Sequence, residues 1–191
     1  MSTVAWSPVS LAVVSAGVVR PSPTRRLADW IAEAVCRSLA AGGARAEVEV
    51  LELHRLTADL AQHSIQGRAS LDLREAITAV AAADGLVAAT PVLATSPGEV
   101  FDSFLTVLGH GVLSGMPVLL ALDSSTRRQP PDLAQMMRRR LTDMHADPGP
   151  TVVIAGPADW QTAARSDAAR LRACIDQAAA ELAAAMRSPR Q

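Results

Sequence analysis

The stretch Leu11-Ala12-Val13-Val14-Ser15-Ala16-Gly17-Val18-Val19-Arg20-Pro21-Ser22-Pro23-Thr24 decides the fold of this chain. Its first four residues form a continuous apolar run, as in a strand covered on both faces, and Ser15-Ala16-Gly17 turns that run into a loop. The next turn is polar and proline-rich. From Arg25 to Ala41 the residues Leu27, Ile31, Ala34, Val35, Ser38 and Leu39 recur at helical spacing, and Gly42-Gly43 ends the helix. A buried strand, a short loop and an amphipathic helix in this order open a βαβ unit and so predict a parallel sheet.

The alternation continues. Glu47 to Leu53 alternates acidic with apolar residues, which predicts a second strand near a sheet edge. A short helix and a polar loop around Gln66-Gly67 occupy 55–70, and Leu73, Ile77 and Val80 share one face of a helix over 71–83. Asp84-Gly85 leads into a third strand, Leu86 to Ala89, which stops at Thr90-Pro91. A polar loop from Thr95 to Gly98 opens a helix striped by Val100, Phe101, Phe104, Leu105 and Leu108 before Gly109. There follow a fourth strand, Val118 to Leu122, and a helix from about Asp132 to His145. A fifth strand, Thr151 to Ala155, and a helix from about Thr162 to Met186 close the chain. Right-handed crossovers place helices on both faces of such a sheet. The expected architecture is an α/β, flavodoxin-like three-layer sandwich with a five-stranded parallel sheet of order 2-1-3-4-5. Its ligand crevice lies at the carboxyl ends of the first and third strands, so the loops after Ser15, Thr90 and Leu122 are expected to meet there.

Composition narrows the function classes. At 191 residues, 49% hydrophobic, with a formal net charge of -1, the chain suits one packed domain over 1–191 and not a disordered segment. All 18 basic residues are arginine, a bias of coding more than of chemistry, and no basic face interleaved with aromatics points to nucleic acid. Cys36 and Cys174 stand far apart in predicted helices, which suggests reduced thiols in a cytoplasmic protein. The apolar run Leu11 to Val19 is too short for a membrane span and has no basic leader, so neither membrane association nor export is expected. His54, His63, His110 and His145 lack paired ligand spacing, so no metal site is expected. Ser15, Ser22 and Ser96 lie in no Gly-x-Ser-x-Gly pattern, which leaves a hydrolase without support. Trp6, Trp30 and Trp160 read as packing residues.

The loop from Ser15 to Thr24 is the candidate site. A helix start offers unpaired N–H groups and a positive dipole end, hydroxyls at Ser22 and Thr24 add donors, and Arg20 and Arg25 add charge, which together suit a phosphate. The alternative is purely local: Thr24 caps the helix while Pro21 and Pro23 stiffen the turn.

Three groups of residues carry a resemblance to a known family. They are Val13-Val14-Ser15-Ala16-Gly17 through Pro21-Ser22-Pro23-Thr24-Arg25-Arg26-Leu27-Ala28; Ala82-Ala83-Asp84-Gly85-Leu86-Val87; and Thr90-Pro91-Val92. With Phe101-Asp102-Ser103-Phe104 and Leu113 to Leu122, they make the chain similar to the NADPH-dependent FMN reductases, most of all to an actinobacterial branch. The resemblance implies that Ser15, Arg20, Ser22 and Thr24 hold the FMN phosphate. It also implies that Pro91, Val92, Leu93 and Ala94 border the isoalloxazine, with Ser124 and Arg127 in the loop after the fourth strand.

The chain departs from the family pattern where an aromatic and an asparagine usually stand, at Leu93 and Ala94. Asp102 replaces a common lysine, and Asp123-Ser124-Ser125 replaces a Gly-Gly. Losing one aromatic contact and one neutral hydrogen bond weakens binding roughly 5- to 150-fold. Asp123 at the end of its strand either faces the ligand, where a carboxylate opposes the negative charge of reduced flavin, or caps the turn that follows, and the cap is the favoured reading; Arg138-Arg139-Arg140 is expected to form a solvated face and not a grip for the NADPH 2′-phosphate.

The implied activity is hydride transfer from NADPH or NADH to FMN, in a homodimer or homotetramer with Phe101, Phe104, Leu105 and Leu108 as a seam or as ordinary core. Positioning supplies most of such catalysis, and no side chain is assigned a catalytic role. The alternative is a flavin-free, flavodoxin-like binding or assembly protein, favoured by Leu93, Ala94, Asp102 and Asp123.

Overall fold

The structure, a computed structural model, describes residues 8–17, 21–93, 96–97, 99–124, 131–160 and 165–188. The opening unit is β1 (Val9–Ser15), α1 (Pro23–Ala41) and β2 (Ala46–Glu52). Next come a 3-10 turn over Leu53–Leu56, α2 (Thr57–Gln66), α3 (Leu71–Ala82), β3 (Gly85–Leu93) and β4 (Ser96–Pro97). The remainder is α4 (Glu99–Val112), β5 (Pro117–Ser124), α5 (Pro131–Asp143), β6 (Asp147–Pro148), β7 (Val153–Ala155), a 3-10 turn over Pro157–Trp160 and α6 (Arg165–Met186).

The sheet runs β2-β1-β3-β5, with β6 and β7 both paired to β5, and every one of these pairings is parallel. This is the 2-1-3-4-5 order of a flavodoxin-like fold, in which β5 is the fourth principal strand and β6 with β7 the fifth. Leu11 to Val14 are at most 1% exposed and all eight residues of β5 are buried, as apolar runs demand when both faces are covered. One face of the sheet packs Leu11, Val13, Val87 and Leu119 against Leu27, Ile31 and Val35 of α1 and Ile175 and Leu182 of α6. The other packs Val14, Leu86, Ala88 and Leu120 against α3, α4 and α5. β2 is the edge strand, as its acidic alternation predicts.

Three boundaries differ from the sequence expectation. β3 does not stop at Thr90-Pro91: it runs on to Leu93 with Pro91 opposite Asp123 and Val92 opposite Ser124. β1 ends at Ser15 beside Ala89, so β3 has no β1 neighbour beyond that point and a residue without N–H is tolerated there. The expected polar loop then includes a short antiparallel return, Val92 opposite Pro97 and Leu93 opposite Ser96. The fifth strand is broken in two, because Pro148-Gly149-Pro150 interrupts the ladder between β6 and β7.

The stripe Phe101, Phe104, Leu105 and Leu108 is 1–4% exposed within this one chain. It is core, and so is not available as a seam between subunits. In the arginine run expected to form a solvated face, Arg139 is exposed and its two neighbours make surface contacts. Arg138 donates to the carbonyls of Pro148 (3.4 Å) and Pro150 (2.8 Å), and Arg140 lies 3.1 Å from the Asp102 carboxylate.

Candidate functional site: the carboxyl rim of β1, β3 and β5

The parallel register brings three strand ends to one rim. Ser15 stands opposite Ala89, Thr90 opposite Leu122, and Val92 opposite Ser124. Ser15 (2% exposed), Thr90 (0%), Asp123 (7%) and Ser124 (1%), with Thr24 (2%) at the head of α1, are the buried polar residues of the described chain. Polar side chains gathered at the carboxyl ends of buried parallel strands, where the winding reverses, are the usual signature of a ligand crevice.

The head of α1 is built by Pro23, whose missing N–H costs nothing at the first helical position, and by Ser22, which is the N-cap. The Ser22 hydroxyl accepts from the Arg25 backbone N–H at 3.1 Å and its carbonyl accepts from the Arg26 N–H at 3.1 Å. Gly17 makes this approach possible. A Cβ built there would overlap the Ser22 hydroxyl and lie 3.1 Å from Thr24 Cβ. The cap is thus Ser22 and not Thr24, whose side chain has another task.

Thr24 donates its hydroxyl to Asp123 Oδ2 at 2.9 Å, a buried contact between residues 99 apart in sequence. Asp123 therefore does not simply cap the turn that follows β5. Burial pushes its carboxyl above the usual carboxylate range, opposed by the Thr24 hydrogen bond and by the nearby indole of Trp160. That indole approaches without closing a bond, since Trp160 Nε1 is buried with no acceptor in hydrogen-bond geometry. Trp160 also stacks on Trp30, with ring centroids 5.5 Å apart, and the Arg26 guanidinium sits 5.4 Å and 5.5 Å from the two rings. The packing role expected of these two tryptophans is realised as one cation–π cluster beside the rim.

Arg25 is committed as well. It reaches Asp29 at 2.8 Å and Glu52 at 3.2 Å, and Glu52 also holds Arg55 at 3.1 Å. Its charge is thus largely matched before any anion arrives.

Of the candidate residues, Ser15, Ser22, Thr24, Pro91, Val92 and Ser124 come to this rim, and the Leu93 backbone pairs with Ser96. Arg20, Ala94 and Arg127 lie outside the described residues, as does Trp6. The residues that sequence reasoning missed are partnerships more than positions: Thr24 with Asp123, and Arg26 with Trp30 and Trp160. Among the described residues no group of His, Cys, Asp or Glu could hold a metal, and no helix is long and apolar enough to cross a membrane.

Comparison with known proteins bears on this rim. No curated protein matches the sequence. An oxidoreductase from Corynebacterium diphtheriae is 35% identical, with a TM-score of 0.88 over 94% of this chain and 97% of that one. The apo form of an NADH:FMN oxidoreductase, EmoB, gives a TM-score of 0.75 at 22% identity, covering 91% of this chain and 90% of that one. A flavodoxin, a WrbA-like protein from Agrobacterium tumefaciens, gives 0.62 at 16% identity over 95% and 98% of the two chains. At such identities the last two speak to the fold alone. The NADPH-dependent FMN reductase family model matches residues 9–161, from the start of β1 past Trp160 and so across the whole polar rim. With that match, the chain belongs to the NADPH-dependent FMN reductase family.

Proposed function

We propose that this chain is an NAD(P)H-dependent FMN reductase, passing hydride from NADPH or NADH to FMN, with the flavin held weakly or turned over as a diffusible substrate. The observation that carries this reading is the head of α1. Ser22 uses its oxygen to satisfy the Arg25 N–H, which leaves its hydroxyl hydrogen for a phosphate oxygen. Gly17 presents bare backbone beside it, and a 19-residue helix turns its positive end to the same spot. These residues fit a phosphate.

FMN, when bound, supplies N5 as the hydride acceptor. The chain's own part is to bind and orient. Ser15, Ser22 and Thr24, with Arg20, serve the phosphate; Pro91, Val92, Leu93 and Ala94 border the ring; Ser124 and Arg127 close the third side. A buried carboxylate at Asp123, the neutralised Arg25, and Leu93 and Ala94 in place of an aromatic and an amide all favour weak retention. The family resemblance supports a homodimer or homotetramer, single-domain organisation over 1–191 and a cytoplasmic location as parts of the same proposal.

The test is a titration of FMN into purified protein, followed by quenching of flavin fluorescence, then oxidation of NADPH and of NADH with and without added FMN. The expected result is saturable binding in roughly the micromolar range and turnover that requires added flavin. Absence of both, in protein with an intact circular dichroism spectrum, replaces this reading with the flavin-free binding or assembly protein.

A further inference from the structure

We propose that Asp123 is a positioning residue that makes phosphate binding at the head of α1 depend on a proton, acting through the hydroxyl of Thr24. The inference rests on the FMN-binding reading above and names a control built into that site. Thr24 occupies two roles at once. Its Cβ lies 3.1 Å from where a Cβ on Gly17 would be, so its side chain stands beside Ser22 in the phosphate loop, and its hydroxyl hydrogen is given to Asp123 at 2.9 Å. A hydroxyl has a single hydrogen to donate. While Asp123 is ionised, that hydrogen is fixed on the carboxylate, and a negative charge sits one side chain from the phosphate position. When Asp123 takes a proton from solvent, it becomes the donor to Thr24 Oγ1, and the Thr24 hydrogen is released to turn toward a phosphate oxygen.

Burial makes this exchange consequential, because Thr24 is 2% and Asp123 7% exposed and little water screens the pair. The surrounding elements bring few competing charges. From α1, Arg25 is matched by Asp29 and Glu52, the latter on β2, and Arg26 lies over Trp30 and Trp160. From β3 come only Thr90 and Pro91, neither charged. From the turn after β7 come the Trp160 indole and Asp159, whose carboxylate accepts from the Gly156 N–H at 2.7 Å. No cation on these described elements is left over to neutralise Asp123. Burial raises its titration from the ordinary aspartate value, opposed by the Thr24 hydrogen bond.

The test compares dissociation constants for FMN and for riboflavin, which lacks the phosphate, from about pH 4, near the ordinary aspartate value, to about pH 8 in the wild type, Asp123→Asn, Thr24→Val and Thr24→Ser. FMN's own phosphate titrates in this range, so Asp123→Asn serves as the reference. The wild-type constant for FMN is expected to rise about tenfold relative to Asp123→Asn as pH increases, while the riboflavin ratio stays flat. Thr24→Val is expected to lose the low-pH gain and Thr24→Ser to keep it. Parallel FMN profiles for wild type and Asp123→Asn overturn the inference and leave the FMN reading standing; so does an equal pH effect on riboflavin. No saturable FMN binding by either protein at any pH overturns both. Should Asp123→Asn fail to fold, a Thr24→Val to Thr24→Ser ratio that is constant with pH overturns the inference on its own.

Discussion

A carboxyl group drawn out of water at the end of a parallel strand destabilises the fold in its charged form unless donors compensate, and among the described residues Asp123 has one full hydrogen bond, from Thr24. Its titration therefore moves upward on folding. For an acid shifted in that direction the native state binds the proton more tightly, so its favourable contribution is complete below the unfolded value. That contribution is lost as pH rises through the raised native value. Asp123→Asn removes this loss. Its melting temperature relative to wild type is expected to climb as pH rises from the ordinary aspartate value through the raised native one and to level off above it, with no ligand present. A difference that is constant across that range shows that Asp123 does not titrate with folding. Little of this was legible locally: residues 99 apart in sequence leave no spacing to read, and the hydroxyl at Thr24 satisfies a capping pattern as well as Ser22 does. What separates the two is Pro23, which suits the first helical position and so puts the cap at Ser22.

At the scale of elements, the end of α5 carries its strain at one residue. His145 holds φ at 62°, the left-handed conformation, while its N–H bonds to Thr142 O at 2.8 Å and the Ala146 N–H reaches back to Leu141 O at 3.0 Å. This is the Schellman arrangement, which glycine fills without penalty; α1 ends in the same way, with Gly43 at φ 80° and the Ala44 N–H on Leu39 O. His145→Gly is expected to stabilise the protein by about 0.5–1 kcal/mol, read as a higher denaturant midpoint at unchanged slope, and His145→Ala to bring no such gain. The helix ends were readable because Gly42-Gly43 and Gly67 announce them. The end of β3 and the break in the fifth strand were not, because a proline's meaning depends on whether a neighbouring strand needs its N–H. Pro91 has no β1 partner and leaves the strand intact, whereas Pro148 and Pro150 flank the gap between β6 and β7.

The whole molecule is a sheet sealed by α1 and α6 on one side and by α3, α4 and α5 on the other, and the strand and helix periodicities alone dictated that layering. Sealing both faces puts the apolar stripe of α4 inside the chain and confines the buried polar residues among those described to the carboxyl rim, so binding there draws on a scaffold already formed. A ligand that recognises only the folded rim must then stabilise the entire fold by mass action. FMN at a hundred times its dissociation constant is expected to add about 2.7 kcal/mol, which for a chain of this size raises the melting temperature by roughly 5–10 °C. Riboflavin at the same concentration is expected to add less, because the head of α1 offers its dipole and the Ser22 hydroxyl to a phosphate that riboflavin lacks. Equal shifts with the two flavins place the binding energy on the ring and remove the phosphate loop from the site. No shift with either, in protein that melts cooperatively, separates this fold from flavin altogether.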